Sequence, residues 1–172
     1  WVCIGTDMDV EIPVSEVSFV TGLNATLPAV QTILRWDDFD PIPDEAYEVF
    51  EPLREAASDT IRLRADHSEI RIYTWGRNDC HLAAGATSAT LLDGWAGDEG
   101  SARRLELQEG DVLIFEEVLG PKTGLAADAD PARRHAVRLT QVTPGEDPVV
   151  LGDDGRPTPY VEVEWAWADR LP

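Results

Sequence analysis

The chain has 172 residues, 43% of them hydrophobic and 27% charged, with a formal net charge of −19. This length can bury roughly 70% of the unfolded surface in one domain, and the composition is globular rather than disordered. With 14 Lys and Arg against 33 Asp and Glu, and Lys122 the single lysine, the balance argues against phosphate-backbone or anionic-membrane binding, both of which need cationic neutralisation.

No apolar run approaches the roughly 20 residues of a membrane helix, and no basic-then-apolar leader is visible. The chain starts at Trp1 rather than Met and ends at Pro172 without a polar tail, which points to a piece of a longer protein. Two cysteines, Cys3 and Cys80, are too few for a disulfide framework and are expected as free thiols.

In chain order, Val10, Ile12 and Val14 alternate with Glu11, Pro13 and Ser15, and Val17, Phe19 and Val20 follow. This is entry-strand patterning, with Pro13 marking an edge or a break. Thr21-Gly22-Leu23-Asn24 is turn chemistry, and Val30, Ile33, Leu34 and Trp36 form an apolar stretch of open type. Between Asp37 and Glu51 the chain is acidic. Ala46, Val49, Phe50 and Leu53 fall at helical spacing behind an Asp44 N-cap, which predicts one short helix near residues 44–52, stopped by Pro52.

From residue 60 the period becomes two. Ile61 and Leu63, then Ile70 to Trp75, Thr87 to Leu92, and Leu105 with Leu107 read as strands. Val112 to Phe115 is apolar on both faces and is expected in the centre of a sheet. His135 to Val142 is expected to close at Pro144-Gly145. In the last strand Val161, Val163, Trp165 and Trp167 should share one face, with Glu162 and Glu164 on the other. The expectation is a mainly β fold, a sandwich or barrel-like domain with long loops. Residues 1–59 form an N-terminal arm or subdomain, and residues 60–172 a β-rich module.

A search for chemistry finds no constellation that outweighs ordinary structure. Gly85-Ala86-Thr87-Ser88-Ala89 is not a nucleophile elbow, because Ser88 falls one place late and no second Gly follows. The histidines are His67, His81 and His135, and neighbours Cys80 and His81 would project to opposite faces of an extended chain. Asp7-x-Asp9-x-Glu11 and Asp128-Ala129-Asp130 lack the remaining positions of a calcium loop and read as turn acids. No catalytic residue, metal site or cofactor is assigned.

What remains is contact chemistry. Trp95 lies in a loop setting that would suit an interface anchor. Arg103-Arg104 and Arg133-Arg134-His135 are the local basic clusters, able to meet an acidic patch on a neighbour or, for the second, to pair with Asp128 and Asp130. Trp95, Arg103, Arg104, Lys122, Arg133 and Arg134 are therefore the candidate interface residues, and loops 93–103 and 119–133 the candidate contact surfaces.

The order of certain short segments resembles a family. They are Ile70-Arg71-Ile72-Tyr73-Thr74-Trp75-Gly76, Cys80-His81-Leu82 leading to Gly85-Ala86-Thr87-Ser88-Ala89-Thr90-Leu91, and Gly110-Asp111-Val112-Leu113-Ile114-Phe115-Glu116. Gly120-Pro121, Thr123-Gly124, Ala127 to Pro131, Val137-Arg138-Leu139-Thr140 and the closing Trp165 to Pro172 continue the pattern. Together they resemble the baseplate assembly proteins, J-like wedge components of phage-tail-like extracellular contractile injection systems. The likeness covers residues 68–172 well and Val10 to Glu51 loosely, and departs from the pattern at Ala83-Ala84.

The resemblance implies a structural, non-enzymatic role without cofactors. It implies partners among other baseplate, hub or spike and sheath subunits, in multiple copies of a symmetric assembly, with no nucleic acid and no membrane insertion. It also implies assembly in the cytoplasm into a tail-like particle. A carbohydrate- or protein-binding β-sandwich of a tail-associated adhesin is the alternative, for which exposed, coplanar Trp75 and Trp95 around a groove would speak.

Overall fold

A computed structural model describes residues 5–22, 34, 36–40, 42–51, 59–77, 81–96, 102–130, 132–152 and 154–172. Cys3, Cys80 and the stretch Val30 to Ile33 lie outside the described residues. The chain is mainly β, in several sheets of which none closes into a barrel. It divides into two compact units, Trp1–Ser68 and Glu69–Pro172. The division falls later than the expected 59/60 because the first strand after it pairs back into the N-terminal unit.

In that unit, β1 (Val10–Pro13) and β2 (Phe19–Thr21) precede β3 (Glu48–Phe50) and β4 (Thr60–Leu63). β1 pairs antiparallel with β4, placing Val10 opposite Leu63 and Ile12 opposite Ile61, and β2 pairs with β3, placing Phe19 opposite Phe50. Pro13 ends β1, and a 3-10 turn, Val14–Glu16, follows it. The helix expected over 44–52 is a single 3-10 turn, Asp44–Ala46, after which the chain extends into β3. The helical spacing of Val49 and Phe50 is overridden by pairing with β2, an instance of tertiary context outweighing local preference.

The second unit contains β5 (Ser88–Leu92), β6 (Trp95–Ala96), β7 (Ala102–Arg103), β8 (Val112–Glu116), β9 (Arg134–Leu151) and β10 (Pro157–Trp165). Four of them form an antiparallel sheet in the order β5-β10-β9-β8, and β6 and β7 form a small ribbon. Ala89 and Leu91 of β5, Val137 and Leu139 of β9, and Val161, Val163 and Trp165 of β10 make one buried cluster with Leu105 and Leu107. The alternation in β10 is as expected up to Trp165, but Trp167 begins a 3-10 turn and is 67% exposed.

β9 keeps its apolar residues inward by a register shift. Glu164 pairs with Gln141 but Trp165 pairs with Leu139, so one residue of β9 is skipped. Strict alternation would put Val142 on the face opposite Val137 and Leu139. The bulge resets the phase, and all three pack on the core.

Pro144-Gly145 does not end the strand. Pro144 lies beyond the residues that β8 pairs, where the lost N–H is tolerated, and Gly145 lies opposite Tyr160. A Cβ at Gly145 would sit 2.4 Å from the Tyr160 ring, so glycine here makes room for a cross-strand aromatic.

Three other expectations change. Ile70 to Trp75 forms no strand. It lies along β5 through one bridge, Ile72 to Leu91, and two flanking bonds, Tyr73 N–H to Thr90 O (2.8 Å) and Leu92 N–H to Arg71 O (2.7 Å), before turning away. Leu105 and Leu107 are buried as their alternation suggests, yet the Leu105 N–H donates to the Asp93 carboxylate (2.9 Å) instead of a strand ladder. β8, expected at the centre, occupies an end of the described sheet, and Val112 is 44% exposed.

Candidate interaction surfaces

The six candidate interface residues divide by what they touch. Asp93 sits at the base of the β6–β7 ribbon with its side chain fully buried, and its carboxylate accepts from the N–H groups of Gly94 (2.7 Å) and Leu105 (2.9 Å) and faces Arg103 at 3.5 Å. Arg103 also donates to Gly145 O (2.9 Å) and Glu146 (3.4 Å), and its guanidinium lies 4.5 Å from the centroid of the Trp95 ring. Arg156 lies 5.2 Å from the same ring, and the indole N–H donates to Pro157 O at 3.4 Å. Trp95 and Arg103 therefore fasten the ribbon to β9 and β10 and are half-buried in doing so. Arg104 is exposed, and its aliphatic stem lies over Gly94 at a distance that leaves no room for a Cβ there.

Loop 117–133 is held together from within. Glu117 clamps its base: the N–H of Asp130 (3.0 Å) and the guanidinium of Arg133 (2.9 Å) both donate to its carboxylate, while the Glu117 N–H donates to Arg133 O (3.1 Å). Gly120 N–H reaches Leu125 O (2.9 Å) and Gly124 N–H reaches Gly120 O (2.8 Å), closing a tight turn in which Gly124 has a φ of 68°. Thr123 donates to Asp128 (2.7 Å), and Asp130 accepts from Ala132 N–H (3.0 Å). Asp128 and Asp130 are thus turn acids, and a calcium loop is not what they build.

Of the two basic residues after the loop, Arg133 pairs with Glu117 and Asp130 and Arg134 with Glu116. Of the acids the sequence offered for that cluster, Asp130 is engaged and Asp128 is taken by Thr123. The loop exposes Val118 (62%), Leu119 (53%) and Leu125 (59%), with Lys122 exposed between them in sequence. A loop already bonded from within that turns aliphatic side chains outward would have little ordering cost left to meet on contact with a partner.

A second surface escaped the sequence. Trp75 is a non-glycine residue with positive φ (50°), followed by Gly76 at 72°, and Arg77 N–H closes the turn on Thr74 O at 3.0 Å. A bulky side chain in the left-handed region is strained, and such residues gather at binding and catalytic sites. Here the turn sets the indole against Tyr73 (centroids 5.0 Å) and Tyr160 (6.3 Å), while Tyr73 and Tyr160 stack at 5.7 Å.

Opposite these rings, the register of β9 against β10 slips between Pro157 and Thr158, so Pro148, Val149 and Val150 arch out. Asp147 holds the arch. Its carboxylate accepts from the N–H groups of Val149 (2.8 Å) and Val150 (3.2 Å) and from the Tyr73 hydroxyl (2.7 Å). These bonds, the tyrosine's first, lower the Asp147 pKa against the opposing effect of its burial. Burial and the same hydrogen bond push the Tyr73 pKa up to about 12.

Trp75, Tyr160 and residues Glu146 to Val150 line an open groove of about 400 Å3. The sequence signals available were Trp75-Gly76 as a turn and Asp147-Pro148 as an Asp-Pro turn whose side chain caps the following amides.

Among the other chemical candidates, His135 contacts Asp169 O at 2.9 Å through its Nε2, the Ser88 backbone pairs in β5 opposite Glu164, and Asp9 accepts from Ala65 N–H at 2.9 Å. Among the described residues no group of three or more His, Cys, Asp or Glu side chains converges, and no helix is long and apolar enough to cross a membrane.

These features define a mainly β protein with a preformed apolar loop and an aromatic groove. No family model, no curated protein and no solved structure matches the chain.

Proposed function

We propose that the chain is a non-catalytic assembly module of a contractile, phage-tail-like baseplate, docking onto neighbouring wedge, hub or sheath subunits. The observation that carries this reading is the internally bonded loop 117–133 with Val118, Leu119 and Leu125 turned outward. On a chain of net charge −19, self-association is opposed by repulsion, so an apolar loop tip carrying the single lysine suits a different partner. The ordered likeness of residues 68–172 to J-like wedge components supports the particular machine.

The test is co-expression with the products of the adjacent genes. Sheath, tube and spike proteins should be encoded there and should co-purify with the wild-type chain. The double substitution Leu119→Asp, Leu125→Asp should abolish co-purification while leaving the unfolding transition in place, because both side chains are exposed. Neighbouring genes without tail proteins, or no co-purification by the wild type, would remove the reading.

For the adhesin alternative, which called for exposed, coplanar Trp75 and Trp95, Trp75 is 50% exposed and Trp95 is half-buried beneath Arg103 and Arg156.

A further inference from the structure

We infer that β8 is a docking edge for a second copy of this chain: two β8 strands pair antiparallel about a two-fold axis at Ile114 and join their sheets into one. This goes beyond the assembly reading and does not use loop 117–133, so either can fail while the other stands.

The edge is open. Leu139 N–H donates to Asp111 O (2.8 Å) and Glu117 N–H to Arg133 O (3.1 Å), at the two ends of the β8–β9 ladder. Bonding alternates along an antiparallel pair, so Leu113 and Phe115 also bond to β9. The N–H and C=O groups of Val112, Ile114 and Glu116 then point away from it. Among the described residues no strand other than β9 pairs with β8. A row of unpaired backbone groups is a template for another strand. β8 contains no proline and no lysine, and its register with β9 runs without a bulge, so common means of blunting an edge are missing. Val112 to Phe115 is apolar on both faces, as in a strand from the interior of a sheet.

The strand is complementary to itself. With the axis at Ile114, Val112 lies opposite Glu116 of the second copy and Ile114 opposite its own counterpart, so every outward group meets a partner. Slipping by two residues would bring Glu116 opposite Ile114 and leave Val112 opposite no strand residue. On the core side, Leu113 lies opposite Phe115 of the second copy in a non-hydrogen-bonded pair, where side chains stand closest. Both residues pack against the buried cluster, with the Phe115 ring 5.2 Å from that of Trp165, so the two cores become continuous.

Charge selects the same arrangement. On the outer side of the sheet Glu116 is held by Arg134 (3.0 Å), across from it on β9, and Arg138 lies across from Val112. Arg138 spends one of its several donors on Gly110 O (2.9 Å). In the pair, each Glu116 stands in a row between its own Arg134 and the other copy's Val112 and Arg138. Each acid thus approaches an arginine, and no acid faces an acid. The net charge of −19 still repels two chains at long range, but that repulsion is spread over the surface and screened by salt.

Sedimentation equilibrium of the full chain at rising NaCl tests this. A monomer–dimer equilibrium is expected, with the dimer favoured as salt screens the repulsion. Val112→Pro removes an outward N–H and leaves the β9 ladder its donors, and should weaken the dimer by at least about tenfold. Glu116→Arg, at an exposed site, should also weaken it by setting arginines against arginines, and it serves as the readout should Val112→Pro not fold. Ile114→Cys, in a chain also carrying Cys3→Ser and Cys80→Ser, should give a disulfide-linked dimer on oxidation, because the two-fold sets position 114 against itself. A chain that stays monomeric at every salt concentration, a dimer unchanged in affinity by the folded variants, or no cross-link through position 114 would each overturn the inference.

Discussion

The described parts of residues 1–68 and 69–172 are both built from antiparallel strands punctuated by 3-10 turns, yet they differ in the apolar side chains they bury. Among the described residues the first unit buries Val14 and Ile42, whereas the second buries a continuous cluster from Ala89 to Trp165. The difference follows from strand length and connection. β1–β4 and β2–β3 are two-stranded ribbons of three or four residues per strand, which have little stability alone. β9 and β10 run long, and their bulge lets successive stretches of one strand address one core. The polar links of the first unit lie at its surface: Thr6 and Ser68 exchange hydrogen bonds (2.8 and 3.0 Å), and Arg62 pairs with Glu11 at 2.9 Å with both side chains largely exposed. Exposed pairs of this kind contribute little.

The largest expected effect is therefore a core truncation in the second unit. Leu139 is 1% exposed and faces Trp165, so Leu139→Ala should cost about 3 kcal/mol, within the range of buried leucine truncations. Amide hydrogen exchange should show protection lost together across β5, β8, β9 and β10. Ile42→Ala should change exchange only within residues 1–68. Loss of protection in β9 and β10 on Ile42→Ala would show that the two cores are not separate in energy.

The comparison also shows how much was legible in the sequence. β1, β4, β5 and β10 follow from alternation, because each turns one apolar face inward, buried in β5 and β10 and half-buried in β1 and β4, and Val161, Val163 and Trp165 share the inward face their spacing predicts. The departures fall where a tertiary partner overrides the local pattern. Leu105 alternates like a strand residue, but its N–H goes to Asp93. Pro144-Gly145 resembles a stop, but Tyr160 needs that glycine. Val49 and Phe50 have helical spacing that pairing with β2 overrides. Of the six interface candidates, Arg104 and Lys122 remain exposed, Arg133 and Arg134 are tied to local acids, and Trp95 and Arg103 serve the interior. Local composition marks 119–133 as a loop. It could not reveal the groove, because Trp75 and Glu146–Val150 are distant in sequence and meet only through the register of β9 and β10.

Asp93 gives the next effect down. Its buried carboxylate serves two amides and Arg103 together, so Asp93→Ala leaves Leu105 N–H and the guanidinium short of a partner. A loss of about 2 kcal/mol is expected in urea unfolding, the scale of a buried charged hydrogen-bond partner removed. Asp93→Asn retains an acceptor for the amides and should lose about half as much. Equal costs for the two would place the contribution in the charge pair rather than in the amide bonds.

The smallest effect is the most diagnostic of how the second unit differs, because it depends on pH. Tyr73 is 4% exposed and donates to Asp147, a buried polar link, whereas the Arg62–Glu11 pair of the first unit is largely exposed. Tyr73→Phe keeps the ring packing against Trp75 and Tyr160 and should cost about 1 kcal/mol at neutral pH, the net value of one hydrogen bond. The pH signs are opposite for the two partners. The folded-state pKa of Tyr73 lies above its ordinary value of 10.0, so its contribution is complete below pH 10 and is lost as pH rises towards about 12. The folded-state pKa of Asp147 lies below its ordinary 3.8, so its contribution is complete above that value and is lost as pH falls through the lower folded value. Melting temperature followed against pH should thus show an alkaline decline in the wild type that Tyr73→Phe removes. The acid decline should shrink but persist in that variant, because the amides of Val149 and Val150 still bond Asp147. An alkaline decline unchanged by Tyr73→Phe would mean that another group governs the second unit's high-pH stability, and that the arch of the groove is not anchored through this tyrosine.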